Sequence, residues 1–447
     1  TNPQNFHGNN WLRRMRRGGS LTMVVKSYLR MYSKNLKMVK IKADLLMIIF
    51  TCFLGKAQSR YTCTCESQKG QFYSGENINA CFHATDFVDT LLFPTKIKQE
   101  GSGSQVINTA YRFSKLLLTN YVLTDYIMTM NHERFGHGYR ALQAQGNIIG
   151  ITYNPPPPFS NNGFSFIHLE GLEDATNQER LLMTLGGSEA NMVVSDIMRK
   201  NFLLDGKLNY NFAVAYLYGN NDMPGYTAFV KNEFSDPNTY RRNINEFYFQ
   251  RESLTQSRMR TISLFALLTD PINFYAFKSL FYDYLFYGKR STKVKFIPIS
   301  DNVGLLPRFR FEYTPYGPEL VYQSYFKKGK QLYQTSFSHG DGTFDSSWRI
   351  GARSWNLKPT DRLSLNVVTE FWDQPQIDFY SDEVLVRNSG FGGLFNVTAN
   401  YDFLTDYGSY SLLGATIQAG YKTAGYSLGE QLSSGPILRA GLSFKLK

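Results

Sequence analysis

The sequence predicts an α+β protein in which a mostly helical domain, residues 60–295, precedes an antiparallel eight-stranded β-barrel, residues 296–447. Two observations carry this prediction. Apolar residues recur at steps of three and four from about residue 85 to 290, which is the period of a helix. From about residue 305 apolar and polar residues alternate instead, as they do in a strand with two different faces.

Residues 1–59 carry most of the net positive charge of the chain. They contain eleven Lys and Arg residues and one acidic residue, whereas all 447 residues together have a formal net charge of +12. An apolar run, Ala43–Gly55, follows the basic stretch, and the small residues Ala57 and Ser59 come next. This order is typical of a secretory signal peptide, with a basic, disordered tail as the alternative. Because the rest of the chain is nearly neutral, we expect no nucleic-acid partner.

The helical spacing is clearest between Asn108 and Gln145. Two short strands are predicted after it, at Ile148–Tyr153 and Phe164–Leu169. A second long helix is predicted from about Thr176 to Leu204. This order predicts that the first two helical segments of the domain are joined by a small antiparallel hairpin.

The C-terminal third predicts eight strands that are each long enough to cross a bilayer at a tilt. They span residues 306–315, 318–327, 330–338, 346–356, 362–373, 391–403, 409–422 and 435–447. Short turns alternate with longer connections at 339–345, 373–390 and 422–434, which is the pattern of an outer-membrane barrel. The final strand also resembles those of bacterial outer-membrane proteins. The alternative is a soluble barrel or sandwich that turns the apolar residues inward.

Two histidines and a glutamate, His132, Glu133 and His137, lie within six residues of the first long helix. Two neutral imidazoles can bind Zn²⁺, and a carboxylate beside the first can accept a proton from an activated water. Residues five apart point about 140° apart on a regular helix, so His132 and His137 would diverge. A π-helical turn at Gly136 would bring them to one face. In the alternative, the helix is regular and Glu133 pairs with His137, leaving His132 outside the ligand set.

A third ligand is expected from the second long helix. Glu189 is the best candidate because small residues around it allow close helix packing. His132, Glu133, His137 and Glu189 together resemble the gluzincin type of zinc metallopeptidase. The resemblance implies that His132, His137 and Glu189 bind Zn²⁺ and that Glu133 is the general base. The sequence departs from that family by one additional residue between the histidines.

These features predict a zinc metallopeptidase anchored in the outer membrane, with a periplasmic helical domain, that hydrolyses peptide bonds at the cell envelope. The expected partners are outer-membrane lipid, a peptide or protein substrate and an envelope protein complex. One alternative is a catalytically inactive zincin-like scaffold or assembly subunit of an outer-membrane complex. Another is a soluble, secreted binding protein with a β-sandwich tail. Asp125 and Asp196 are candidates for orienting an imidazole, and Tyr139 for donating a hydrogen bond to an oxyanion.

Overall fold

The computed structural model describes residues 60–446 except 67–69, 98–100, 102, 157–158, 160–164, 249–253, 341–346 and 408–409. The predicted signal peptide therefore lies outside the described residues. A helical region comes first and a large antiparallel sheet second, so the α+β class is confirmed. The helices and the sheet belong to one compact unit, residues 55–447.

Nine α-helices and three π-helical turns occur among the described residues. The α-helices are α1 (Gln71–Leu92), α2 (Ser104–Lys115), α3 (Val122–Met130), α4 (Gly138–Gln143), α5 (Asn177–Asp205), α6 (Tyr210–Phe229), α7 (Asp236–Phe247), α8 (Gln256–Thr269) and α9 (Pro271–Phe277). The π-helical turns are π1 (Leu116–Tyr121), π2 (Asn131–His137) and π3 (Lys278–Phe286). Among the helices of the described ranges, none is both long and apolar enough to cross a membrane.

Two long helices organise the helical region. From α2 to α4 the backbone stays helical without a break, because the residues at each junction keep right-handed helical dihedrals. The second, α5, begins at a capping box in which Thr176 Oγ1 accepts from the Glu179 amide and Glu179 Oε2 accepts from the Thr176 amide. It ends at Gly206, whose φ of 67° suits a residue without a Cβ. Most of α5 is buried, so it forms the centre of the molecule.

Ten strands form the large sheet, rather than the eight that were predicted. They are β1 (Arg60–Cys65), β6 (Ile297–Ser300), β7 (Val303–Thr314), β8 (Gly317–Lys328), β9 (Gln331–Gly340), β10 (Trp348–Leu357), β11 (Leu363–Ser381), β12 (Val384–Tyr407), β13 (Tyr410–Lys422) and β14 (Gly435–Leu446). The predicted strands correspond to β7–β14, and each pairs with its sequence neighbours. The smaller strands β2 (Asn147–Thr152) and β3 (Phe166–Glu170) form the predicted hairpin, and β4 (Lys207–Asn209) pairs with β5 (Ser291–Lys293).

The sheet is open, so the prediction of a closed barrel is wrong for this structure. The N-terminal strand β1 pairs with β14 and extends one edge, and β6 forms the other. Helix α1 lies along the free edge of β1, where the Asn77 side chain accepts from the Thr64 amide at 3.2 Å and donates to the Thr64 carbonyl at 3.1 Å. The edge groups that a closing strand would need are thus already bound at Thr64.

Two connections also differ from the predicted loops. The segment 373–390 is mostly strand, because β11 and β12 continue to a tight turn at Asp382 and Glu383, whose φ values are 47° and 65°. The connection after Lys422 turns inward, and its residues Tyr426 and Leu428 are buried. Long connections in the sequence are therefore not free surface loops here.

The sheet buries a face with charged side chains and exposes a face with apolar side chains, the opposite of the usual arrangement in a soluble protein. Charged side chains on the inner face are buried against the helices: Arg310 Nη1 lies 2.6 Å from Asp196 Oδ2, and Arg308 Nη2 lies 2.9 Å from Asp270 Oδ2. The outer face is apolar and exposed, with Ile417 at 60% and Leu438 at 66% exposure. Along β14 the residue next to exposed Leu438, Arg439, is buried. The alternation that predicted the strands thus places the polar residues inside.

Candidate metal centre

The π-helical turn π2 places the two histidines of the motif side by side. A π-helix bonds residues five apart, so His132 and His137 share one face of the turn, and their ring centroids are 4.8 Å apart. The prediction of a π-helical turn is confirmed, whereas the alternative of a regular helix is not observed. The additional residue between the histidines is absorbed by the wider turn.

Three glycines let π2 approach α5 closely. A Cβ on Gly136 would lie 2.4 Å from the Gly187 Cα and 2.5 Å from the Gly186 carbonyl oxygen. A Cβ on Gly187 would lie 2.2 Å from Nε2 of His132. Both distances are far shorter than real contacts, so the crossing requires glycine at these positions. The small residues noted in this part of α5 therefore allow π2, with its two histidines, to pack against the helix.

Asp236 completes a group of three possible metal ligands. It is the first residue of α7, and its Oδ2 lies 3.4 Å from His132 Nε2 and 3.5 Å from His137 Nε2. One donor atom from each residue falls within 4.8 Å of the others. Ligands around a tetrahedral zinc ion at 2.0–2.1 Å are separated by about 3.3 Å, so the two distances from Asp236 suit such an ion. Two imidazoles and one carboxylate are also the donor set of several catalytic zinc sites.

The far side of each imidazole is held by a hydrogen-bond acceptor. His132 Nδ1 donates to Asp222 Oδ2 at 3.0 Å, and Asp222 also accepts from the Asn191 side chain at 2.9 Å. His137 Nδ1 donates to the Met183 carbonyl at 2.5 Å. With these acceptors at Nδ1, the Nε2 atom of each ring faces Asp236, where loss of the Nε2 proton would free a lone pair for a metal.

The charges around the imidazoles favour a cation. Burial by itself lowers the pKa of His132, but the Asp222 and Asp236 carboxylates outweigh burial and raise that pKa well above its usual value. For His137 the same opposition, chiefly burial against Asp236, also raises the pKa. Conversely, the two imidazoles outweigh burial and hold the pKa of Asp236 below its usual range. Positive charge, whether from protons on the imidazoles or from a metal that replaces them, is thus stabilised where the three donor atoms meet.

Glu133 lies beside the three donors but is not one of them. Its side chain is buried, and its charge contributes to raising the pKa values of His137 and Tyr226. Tyr226, on α6, also forms a hydrogen bond to the backbone of Asp236. Glu133 directly follows the possible ligand His132 in the chain, and its buried carboxylate outside the ligand set makes it the candidate proton acceptor.

Glu189 lies elsewhere, in a buried ion pair. Its carboxylate accepts from the Arg140 guanidinium through Nε, at 2.8 Å, and through Nη2. It also accepts from Gln71 Nε2 at 3.1 Å and from the Gly429 amide at 2.9 Å. Both oxygens are therefore occupied and the charge is neutralised. The structure brings His132, His137 and Asp236 together, and it places Glu189 with Arg140.

The other polar candidates from the sequence also have different partners. Asp125 accepts from the hydroxyls of Tyr153 and Tyr218 rather than from an imidazole. Asp196 pairs with Arg199 and Arg310. Tyr139 is buried, and its hydroxyl lies against Gly70. Asp222, on α6, has the role proposed for Asp125.

Comparison with known proteins adds no family to this description. No protein-family model, no curated protein and no solved structure matches the chain.

Proposed function

We propose that this protein is a zinc-dependent metallopeptidase that hydrolyses peptide bonds at a bacterial outer membrane. One observation carries the proposal: Nε2 of His132, Nε2 of His137 and Oδ2 of Asp236 converge, with the Glu133 carboxylate buried beside them. Three protein ligands are the number in a catalytic zinc site, which leaves a position for the reactants. Asp236 replaces Glu189 as the proposed third ligand.

Each residue has a defined task in this proposal. A bound zinc ion would polarise the scissile carbonyl and acidify the attacking water. Glu133 accepts the proton of that water as it attacks and then donates it to the nitrogen of the leaving amine. Asp222 and the Met183 carbonyl hold the imidazoles in one orientation, so that the lone pairs stay aimed during the reaction.

The outer face of the sheet supports a membrane partner. An apolar outer face over a charged, buried inner face is the arrangement of strands that meet lipid outside and polar groups inside. Strands β13 and β14, of 13 and 12 residues, exceed the 9–11 that cross a bilayer at a tilt. We infer that outer-membrane lipid covers this face. The periplasmic placement of the helices and an envelope complex as partner stay predictions.

Peptide hydrolysis by the purified full-length protein tests the catalytic proposal. We expect bound zinc, cleavage of a peptide library detected by mass spectrometry, and loss of cleavage with a chelator. Glu133→Gln should lower kcat by about 10²–10⁴-fold while zinc stays bound, because only the proton acceptor is lost. Glu173→Gln, the same change at an exposed position, should leave kcat unchanged.

The outcomes separate the peptidase from its rivals. Zinc binding without cleavage by the wild-type protein would overturn the peptidase and favour the inactive scaffold. Absence of zinc would overturn the metal centre itself. Flotation with lipid vesicles tests the membrane partner, and a protein that remains monomeric in buffer without detergent would favour the soluble binding protein instead.

A further inference from the structure

Helices lie between the two edges of the open sheet. Helix α1 lies along β1, as the bonds between Asn77 and Thr64 show. Helix α2 then reaches π3, where the Arg112 guanidinium donates to the carbonyls of Leu285 and Phe286. The segment that ends in π3 returns to the other edge, because the Tyr275 hydroxyl donates to the Lys295 carbonyl just before β6. Contacts therefore connect β1 to β6 through helices.

The apolar outer face of the sheet continues onto helix α8. Tyr322 of β8 contacts Phe309 of β7 with ring centroids 5.3 Å apart. Phe309 in turn contacts Phe265 of α8 at 5.0 Å. Aromatic contacts thus connect the strand surface that we assign to lipid with helix α8.

Beyond that junction, α8, α9 and π3 present a row of exposed apolar side chains. Leu268 is 68% exposed and Phe281 is 52% exposed. The exposed apolar residues of the segment are Phe265, Leu268, Phe274, Phe277, Phe281 and Phe286. Large contiguous apolar patches of this kind are rare on soluble monomers. From Pro271 to Phe286 the helix rises at most about 24 Å, close to the ~25 Å apolar band of outer-membrane proteins.

The two acidic residues of this segment lie away from the apolar row. Asp270 is buried beside Arg308, and Asp283 is buried and accepts from Lys278 and Thr292. Lys278 is exposed within the row, where it pairs with Asp283, and just past the end of the segment Lys289 lies 5.4 Å from the ring centroid of Tyr287. Lys and Tyr residues in this arrangement are typical of the boundary between hydrocarbon and headgroups. The chemistry of the row therefore matches lipid better than it matches water.

One backbone position at each sheet edge is also protected. Asn77 satisfies both the amide and the carbonyl of Thr64 on β1. On β6, Pro298 has no amide hydrogen to leave unpaired. Unpaired backbone groups are costly in hydrocarbon, whereas in water they would be hydrated. At Thr64 and Pro298 the edges therefore need no water, which suits lipid beside the helices.

We propose that bilayer hydrocarbon covers the outer face of α8, α9 and π3, so that the membrane-embedded wall is part strand and part helix. The proposal rests on the proposed membrane placement of the sheet. It assigns acyl chains, and not a second copy or another protein, as the occupant of the helical face, because the face continues an apolar strand surface and ends in Lys and Tyr residues.

Photo-crosslinking to lipid tests this assignment in the full-length protein. p-Benzoylphenylalanine replaces Phe281 or Leu268 on the helices, Ile417 on the sheet, or Phe234 beside the metal centre, which is exposed but lies outside the row. The protein is reconstituted into phosphatidylethanolamine and phosphatidylglycerol vesicles that contain an alkyne-tagged phosphatidylcholine, and then irradiated.

We expect lipid adducts at Phe281 and Leu268 comparable to those at Ile417, and none at Phe234. Adducts at Ile417 alone would overturn this inference while leaving the membrane placement of the sheet intact. Adducts at none of the positions would overturn both. A protein–protein adduct at Phe281 in place of a lipid adduct would assign the face to a second copy or a partner, and would also overturn the inference.

Discussion

Two carboxylates on neighbouring helices, Asp236 and Glu189, have opposite surroundings. Asp236 is half-buried and faces the Nε2 atoms of His132 and His137, and in the described part of the chain no arginine or lysine forms an ion pair with it. Glu189 faces Arg140, which lies three residues after His137 on the same continuous helix. The first arrangement leaves three donor atoms pointing at one another, and the second leaves none available.

The difference shows how a ligand is told from a structural carboxylate. A guanidinium satisfies both oxygens of a carboxylate in a fixed geometry, and such a pair has no role left for a metal. An imidazole whose Nδ1 is hydrogen-bonded to an acceptor can bind a metal through Nε2. A carboxylate beside two such nitrogens adds a third donor and a negative charge that favours a cation. The ion pair and the metal centre therefore predict different consequences of mutation.

The largest expected effect on stability is at the ion pair. Arg140→Met leaves Glu189 buried without its cation, which should cost about 3–5 kcal/mol of unfolding free energy. Urea unfolding of the detergent-solubilised protein measures it. Arg134→Met, at an exposed position of the same helix, should change the free energy by no more than about 0.5 kcal/mol. Equal effects of the two variants would contradict the structural role of the pair.

A smaller effect is expected at the acceptor behind His132. Asp222→Asn can no longer fix the Nδ1 proton as a carboxylate does, so zinc affinity should fall about 10–100-fold. Competition with a chromophoric chelator measures the affinity. Asp125→Asn, which alters a carboxylate that accepts from tyrosines instead, is the matched control. If the control weakens zinc binding as much as Asp222→Asn does, the assignment of Asp222 fails.

Gly187→Ala tests the close approach of α5 and π2. Its Cβ would lie 2.2 Å from Nε2 of His132, so the ring or the helix must move, at about 1–3 kcal/mol. We expect weaker zinc binding together with lower thermal stability. Gly225→Ala, on α6, meets its nearest atom at 4.0 Å and should be tolerated by the metal centre. Unchanged zinc affinity in Gly187→Ala would contradict the geometry of the turn.

Local patterns carried most of the correct predictions. Alternation located β7–β14 because each strand has one face toward charged groups and one face outward. The five-residue spacing of His132 and His137 made a π-helical turn one of two possibilities, and it is the one in which both histidines share a face. Both inferences depend on residues that are close in sequence.

The errors concern contacts between distant segments. The edge strand β1 pairs with the distant β14 and is bound at Thr64 by Asn77, and nothing in the strand pattern reveals either contact. Asp236 resembles any acidic residue at a helix start, because Ser235 and Pro237 around it are ordinary helix-start signals. The small residues around Glu189 made it a candidate metal ligand in the sequence. In the structure they allow π2 to pack closely against α5. Arg140 was the available signal that Glu189 would be neutralised.

The zinc content of two carboxylate variants tests the central claim most directly. Elemental analysis of purified Asp236→Ala and Glu189→Gln proteins, with the wild type alongside and folding checked by circular dichroism, compares the two candidates. We predict that Asp236→Ala loses zinc, whereas folded Glu189→Gln retains it at the wild-type level. Zinc retained by Asp236→Ala and lost from folded Glu189→Gln would contradict the metal centre described here.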